Sequence, residues 1–215
     1  MDFISLFFFK VPAIIIALVV HELAHGWTAR QLGDHTAERM GRLSFNPLAH
    51  LDLLGTVMLF FGPFGWAKPV PVNPVNLRNP KKDMIWVALA GPLSNVVLGF
   101  LVAFLYTHFF AGYIAGRSRL LFLYLIYFNV GISFFNLLPI YPLDGSNIVR
   151  GFMKHATEVR YMHAMRFVPF IFIVMISAEW LLNVPVLSFV LEPLWTPYRN
   201  FLLDIYGVKA LFLGL

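Results

Sequence analysis

The sequence predicts an all-α polytopic membrane protein, with four to six transmembrane helices and a small membrane-associated β element between the first and second core helices. Three observations carry that expectation. Of the 215 residues, 59% are hydrophobic and only 13% charged, where a soluble domain carries roughly 25% charged residues. Apolar stretches at Asp2–Val20, Met84–Gly112, Leu120–Leu138 and Phe167–Val190 match the roughly 20 residues that a spanning helix needs. Between the first two, the run Gly65-Trp66-Ala67-Lys68-Pro69-Val70-Pro71-Val72-Asn73 reads as extended backbone, a short edge strand or hairpin. Its prolines exclude helix and push the residues before them toward β or polyproline geometry.

The first segment opens with Asp2, has no basic start or small-residue cleavage site, and runs directly into His21. It therefore reads as a retained span rather than a signal peptide. Leu53–Phe64 is too short to cross a bilayer and reads as re-entrant or interfacial. The second long segment contains Ala90-Gly91-Pro92-Leu93-Ser94-Asn95, small and polar residues that suit close helix approach. The third ends in Asn136-Leu-Leu-Pro-Ile-Tyr-Pro-Leu-Asp-Gly145. Its two prolines stop the helix and leave Asp144 just past an unwound stretch, which membrane depth tolerates only where protein or a water-filled cavity covers it. The last apolar stretch is broken by Glu179, Pro185 and Pro193 and leads into an amphipathic tail. We divide the chain into a membrane-embedded catalytic core, 1–155, and C-terminal transmembrane and amphipathic helices, 156–215.

The net charge is +5, but the basic residues lie in short loops and form no stripe with interleaved aromatics, so nucleic acid is not an expected partner. The lipid bilayer is. Lys and Arg number seven from Arg30 to Lys82 and four from Arg150 to Arg166, against only Arg117 and Arg119 in the turn between the second and third long segments. The positive-inside rule then puts the two richer loops in the cytoplasm of a multi-pass cell-membrane protein. Cysteine is absent, so a metal must be held by imidazole and carboxylate.

His21-Glu22-Leu23-Ala24-His25 is an HExxH pattern. On a helix, positions i and i+4 share one face, so both imidazoles reach one ion, with zinc fitting their ligand type. Glu22 then lies beside the metal as a general base for water whose pKa the ion lowers to about 7. Ionisable residues in a membrane segment are expensive and by default functional. A catalytic zinc takes three protein ligands. Asp144 is the candidate for the third, with a helix cap as the plain alternative. Asn136 has two readings of equal weight, a donor to a developing oxyanion and a helix C-terminal cap. His35, His50, His108, His155 and His163 are isolated, and of these only His50 is kept as a spare ligand.

Together, these two motifs resemble those of the site-2 proteases, intramembrane zinc metalloproteases. In that family HExxH supplies two zinc ligands and the base, matching His21, His25 and Glu22. The third ligand is the aspartate of N-x-x-P-x-x-P-x-D-G, which Asn136, Pro139, Pro142, Asp144 and Gly145 fit at every position. The resemblance covers roughly residues 1 to 155. It implies one Zn2+ per chain, a β element such as 65–73, and substrates with a transmembrane segment, and the charge count puts the site toward the cytoplasmic side. No PDZ or CBS-like segment is read, so a minimal member is expected. Oligomeric state is not legible. Three other readings compete: a divalent-metal transporter, an HExxH protease using Glu158 or Glu179 as third ligand, and an inactive homologue acting as a binding protein. Glu22 between the ligands speaks against transport, and so does the lack of repeated halves.

Overall fold

The long apolar stretches fold as helices that supply their own backbone hydrogen bonds, as a bilayer demands. The computed structural model describes residues 6–55, 57, 67–114, 116–209 and 211. Helix α1 is Val11–Gln31, entered through a π-helical turn at Leu6–Lys10. It is followed by α2 (Thr36–Arg39), α3 (Pro80–Leu105, prolonged by a π-helical turn at Tyr106–Phe110) and α4 (Arg119–Leu137). The chain continues through α5 (Asp144–Phe152), α6 (His155–Met165), α7 (Val168–Leu182) and α8 (Val186–Ile205). Among the described residues, four helical stretches are long and apolar enough to cross a membrane: Phe7–Gln31, Pro80–Phe110, Gly116–Leu137 and His155–Leu182.

Helix α1 packs against α3 and α4, and α3 also packs against α4 and α5. Val102 and Ala103 of α3 and Ile126 and Val130 of α4 form one core with Leu202, Leu203, Tyr206 and Val208 from the chain's end. Tyr206 donates its hydroxyl to Val96 O at 2.8 Å, and the missing side chain of Gly99 gives its ring room. By contrast, none of the residues of α6 and α7 is buried.

Two expectations are corrected. The stretch Phe167–Val190 is not one helix. It ends at Leu182, where Asn183 turns left-handed with φ 54°, and α8 begins only after Pro185, as asparagine and proline punctuation favours. Among the described residues the expected β element is likewise not formed as a sheet. Among the described residues there is a single antiparallel bridge, Leu51 to Ala67, and residues 68–73 are irregular backbone. Gly65, Trp66 and most of Leu53–Phe64 lie outside the described residues. Pro69, Pro71 and Pro74 have no N–H to give to a ladder, and much of the remaining backbone is bonded elsewhere. Arg42 donates to Lys68 O (2.8 Å) and Pro69 O (3.2 Å), and Asn73 N–H donates to Asp34 at 2.6 Å. Asp34 also accepts from Thr36 N–H and from Asn76 Nδ2, so this buried carboxylate ties the segment to the end of α1.

The passage from α4 to α5 sets the position of Asp144. After Leu137 the backbone leaves the helix, with turn bonds Ile140 N–H to Leu138 O and Leu143 N–H to Ile140 O. Gly145 then lets α5 start directly against the end of α4. A Cβ there would lie 2.3 Å from Leu138 O and 2.4 Å from Leu137 O, distances no side chain tolerates. Gly145→Ala must push these backbones apart at a cost of about 1–3 kcal/mol, and we expect a lowered thermal midpoint in detergent. An unchanged midpoint would contradict the close approach.

Candidate metal centre

Helical periodicity puts His21 and His25 on one face of α1, and that face points inward: the two residues are 4% and 8% exposed. Each ring gives its Nδ1 to an oxygen. His21 Nδ1 lies 2.6 Å from Asn95 Oδ1 and His25 Nδ1 lies 2.6 Å from Val87 O. Both oxygens only accept, so each Nδ1 carries the hydrogen and each Nε2 presents its lone pair. The two Nε2 atoms lie 3.0 Å apart.

Asp144 completes the triangle from the first turn of α5. Its Oδ2 lies 3.1 Å from His21 Nε2 and 3.2 Å from His25 Nε2. It makes no helix-cap bond, so its carboxylate is spent on the histidines. Three electron-pair donors this close repel one another unless a cation, a proton or a metal ion, sits among them. Tetrahedral zinc with bonds of roughly 2.0–2.1 Å sets its ligands roughly 3.3 Å apart, close to what these atoms show. Two imidazoles and one carboxylate therefore fit a zinc ion by donor chemistry and by spacing. The outward Nδ1–H bonds are those that metal-binding histidines use for orientation.

Glu22 lines the same cavity, about 320 Å³ in volume, with His21, His25, Asn136 and Asp144. Its Oε2 accepts Val70 N–H at 2.7 Å, which turns the carboxylate toward the irregular segment. Asn136, on the last turn of α4, gives Nδ2 to Ile132 O at 3.0 Å and faces the cavity rather than capping its helix. His50 is not brought in: it is buried, and its Nε2 donates to Ser44 O at 2.7 Å. Glu158 pairs with Arg150 and Lys81, and Glu179 accepts Ser188 N–H, so neither competes with Asp144 for the centre. Among the described residues, the cluster able to hold a metal is His21, His25 and Asp144.

Sequence reading missed the contribution of α3. Gly91 lies against both rings, a Cβ there falling 2.4 Å from His25 Nε2 and 2.7 Å from His21 Cε1. Asn95, fully buried, holds His21. The signal lies in Gly91-Pro92-Leu-Ser-Asn95, a polar interruption of an apolar span.

Membrane-spanning helices that converge on two imidazoles, a carboxylate and a neighbouring glutamate define a membrane metallopeptidase. The model of peptidase family M50 matches residues 9–116 and 113–176, and the chain belongs to that family, the site-2 proteases. It is 32% identical to a Bacillus subtilis protein named as a candidate zinc metalloprotease, YwhC, over 95% of this chain and 93% of the relative. A Mycolicibacterium smegmatis protein named as a candidate zinc metalloprotease, Rip2, is 29% identical over 74% of this chain and 62% of its own length. A zinc metalloprotease of Methanocaldococcus jannaschii is 26% identical over 66% of this chain and 33% of its own length. No solved structure matches the chain.

Gly91→Ala brings a methyl group into the space of both imidazoles. We expect the purified variant to lose most of its bound metal by elemental analysis; full metal content would show that the rings have room to spare.

Proposed function

We propose that this chain is an intramembrane zinc metalloprotease that hydrolyses peptide bonds of substrates containing a transmembrane segment. His21, His25 and Asp144 are the zinc ligands and Glu22 is the general base. The convergence of two Nε2 lone pairs and a carboxylate oxygen within 3.0–3.2 Å, beside Glu22, carries this reading. The names of the relatives support zinc as the ion. When bound, zinc acts as a Lewis acid that lowers the pKa of water to about 7 and polarises a carbonyl.

The chain's own residues do the rest. Val70 N–H fixes one oxygen of Glu22, and the carboxylate keeps acceptor positions with which to take a proton from water and return it to the leaving amine. Asn136 uses one amide hydrogen on Ile132 O and retains a second for a substrate carbonyl.

The segment 67–73 supports substrate binding by strand addition. In an extended chain alternate residues share an edge. The N–H of Val70 points to Glu22, so the Val70 and Val72 edge faces the cavity. Pro69 and Pro71 occupy the opposite edge, which has no N–H to offer. Asn73 is committed elsewhere, its side chain capping the turn at Pro74–Asn76. The cavity thus draws its parts from residues within 1–155, the proposed catalytic core, and the richer basic loops support a site that faces the cytoplasm.

The test uses purified protein in detergent with a panel of single-span membrane substrates. Glu22→Gln should keep about one zinc per chain and lose cleavage by a factor of roughly 10² or more. Asp144→Ala should lose the zinc. If Glu22→Gln cuts as well as wild type, Glu22 is not the base. Val72→Pro removes one N–H from the cavity edge and should slow cleavage roughly 2- to 10-fold, the worth of one hydrogen bond, with zinc retained. Undiminished cleavage would end the strand-addition model.

A further inference from the structure

Beyond the ligand set lies a chain of buried amides that the reaction itself does not use. Asn95 on α3 and Asn129 on α4 are both fully buried in apolar surroundings, where an unpaired amide is costly. Their orientation is fixed by backbone oxygens that only accept. Asn129 Nδ2 donates to Leu125 O at 2.7 Å, so Asn129 Oδ1 must face the other way. It accepts Asn95 Nδ2 at 2.7 Å. Asn95 Nδ2 also donates to Ala17 O, one turn before His21 on α1, at 3.0 Å. With both of its hydrogens engaged, Asn95 turns Oδ1 to His21 and accepts Nδ1–H at 2.6 Å. The polarity runs in one direction from a helix carbonyl to the imidazole.

We infer that Asn129 and Asn95 are positioning residues that set the tautomer of His21, holding its proton on Nδ1 so that Nε2 is free for the metal. A neutral imidazole has one N–H, and without an acceptor beside Nδ1 the proton is free to move to Nε2 and block the ligand atom. Asn95 acts on His21 directly. Asn129 acts through Asn95, because without it Asn95 is held only by Ala17 O and is free to turn its own Nδ2 toward the ring. His25 has a separate acceptor in Val87 O, so the effect falls on one of the two histidines. This inference rests on the zinc-site reading above, and its test reads the ring directly.

The test combines two-bond 1H–15N spectra of 15N-histidine-labelled protein in detergent, zinc-free, with titration by Zn2+ against a competing chelator. His21 signals are assigned by their loss in His21→Gln. Wild type should show His21 protonated at Nδ1. Asn129→Ala should show His21 shifted toward the Nε2–H tautomer, with His25 unchanged and zinc affinity lowered roughly 10- to 100-fold, the usual range for outer-shell partners. Asn129→Asp keeps an acceptor for Asn95 Nδ2 and should restore the Nδ1–H form. A merely structural role would lower the thermal midpoint of Asn129→Ala without moving the tautomer, and that result overturns the inference. A wild-type His21 with its hydrogen on Nε2 and none on Nδ1 overturns it whether or not the variants fold. Should wild type bind no zinc while its tautomer behaves as described, the metalloprotease reading fails and the amide relay stands.

Discussion

Two imidazole nitrogens and one carboxylate oxygen meet at 3.0–3.2 Å with their electron pairs facing one another. Such an arrangement is repulsive unless a positive charge sits at its centre, so the surrounding structure must hold the three donors together while presenting an open side to the cavity. Much of the architecture follows from that demand. Helix α1 supplies both imidazoles from one face, and α5 begins where its first residue reaches them. Helix α3 comes close because Gly91 has no side chain to strike the rings.

The apolar solvent makes the demand harder to meet. Every polar atom at membrane depth needs a protein partner, and the residues around the centre show how partners are found. His25 uses the backbone oxygen of Val87, while His21 uses a side-chain amide that is itself held by one backbone oxygen and by a second amide, which is bonded in turn to a backbone oxygen. These bonds link α1, α3 and α4 at one level. They serve packing and ligand orientation together, since the same contacts that satisfy buried polar groups decide which ring nitrogen carries a proton.

The irregular segment 67–73 is held from outside by residues far from it in sequence. Arg42 takes its carbonyls, Asp34 anchors its C-terminal end, and Glu22 takes Val70 N–H. Gly26 of α1 permits the contact, since a side chain there would crowd Val70 and Leu43. The prolines withhold two N–H groups from a ladder, Asn73 N–H is bonded to Asp34, and the edge toward the cavity carries the N–H groups of Val70 and Val72. A run that reads as a strand by its extended geometry is thereby kept as single backbone beside the site.

The sequence alone determined the apolar spans, the helix carrying His21, Glu22 and His25, and the break after α4, because these depend on local composition and on fixed helical periodicity. The break at Pro185 was legible too, while the left-handed turn at Asn183 that ends α7 two residues earlier emerged only in the structure. Only the tertiary structure decided that Asp144 joins His21 across 123 positions, that Asn95 and Asn129 meet behind His21, and that Gly91 and Gly145 stand where a methyl group would collide. Sequence spacing fixes which face of a helix a residue lies on but not how deep neighbouring helices sit or how they are turned. Those quantities are set by packing between elements, and the bonds between donors and acceptors at the centre exist only once that packing is complete.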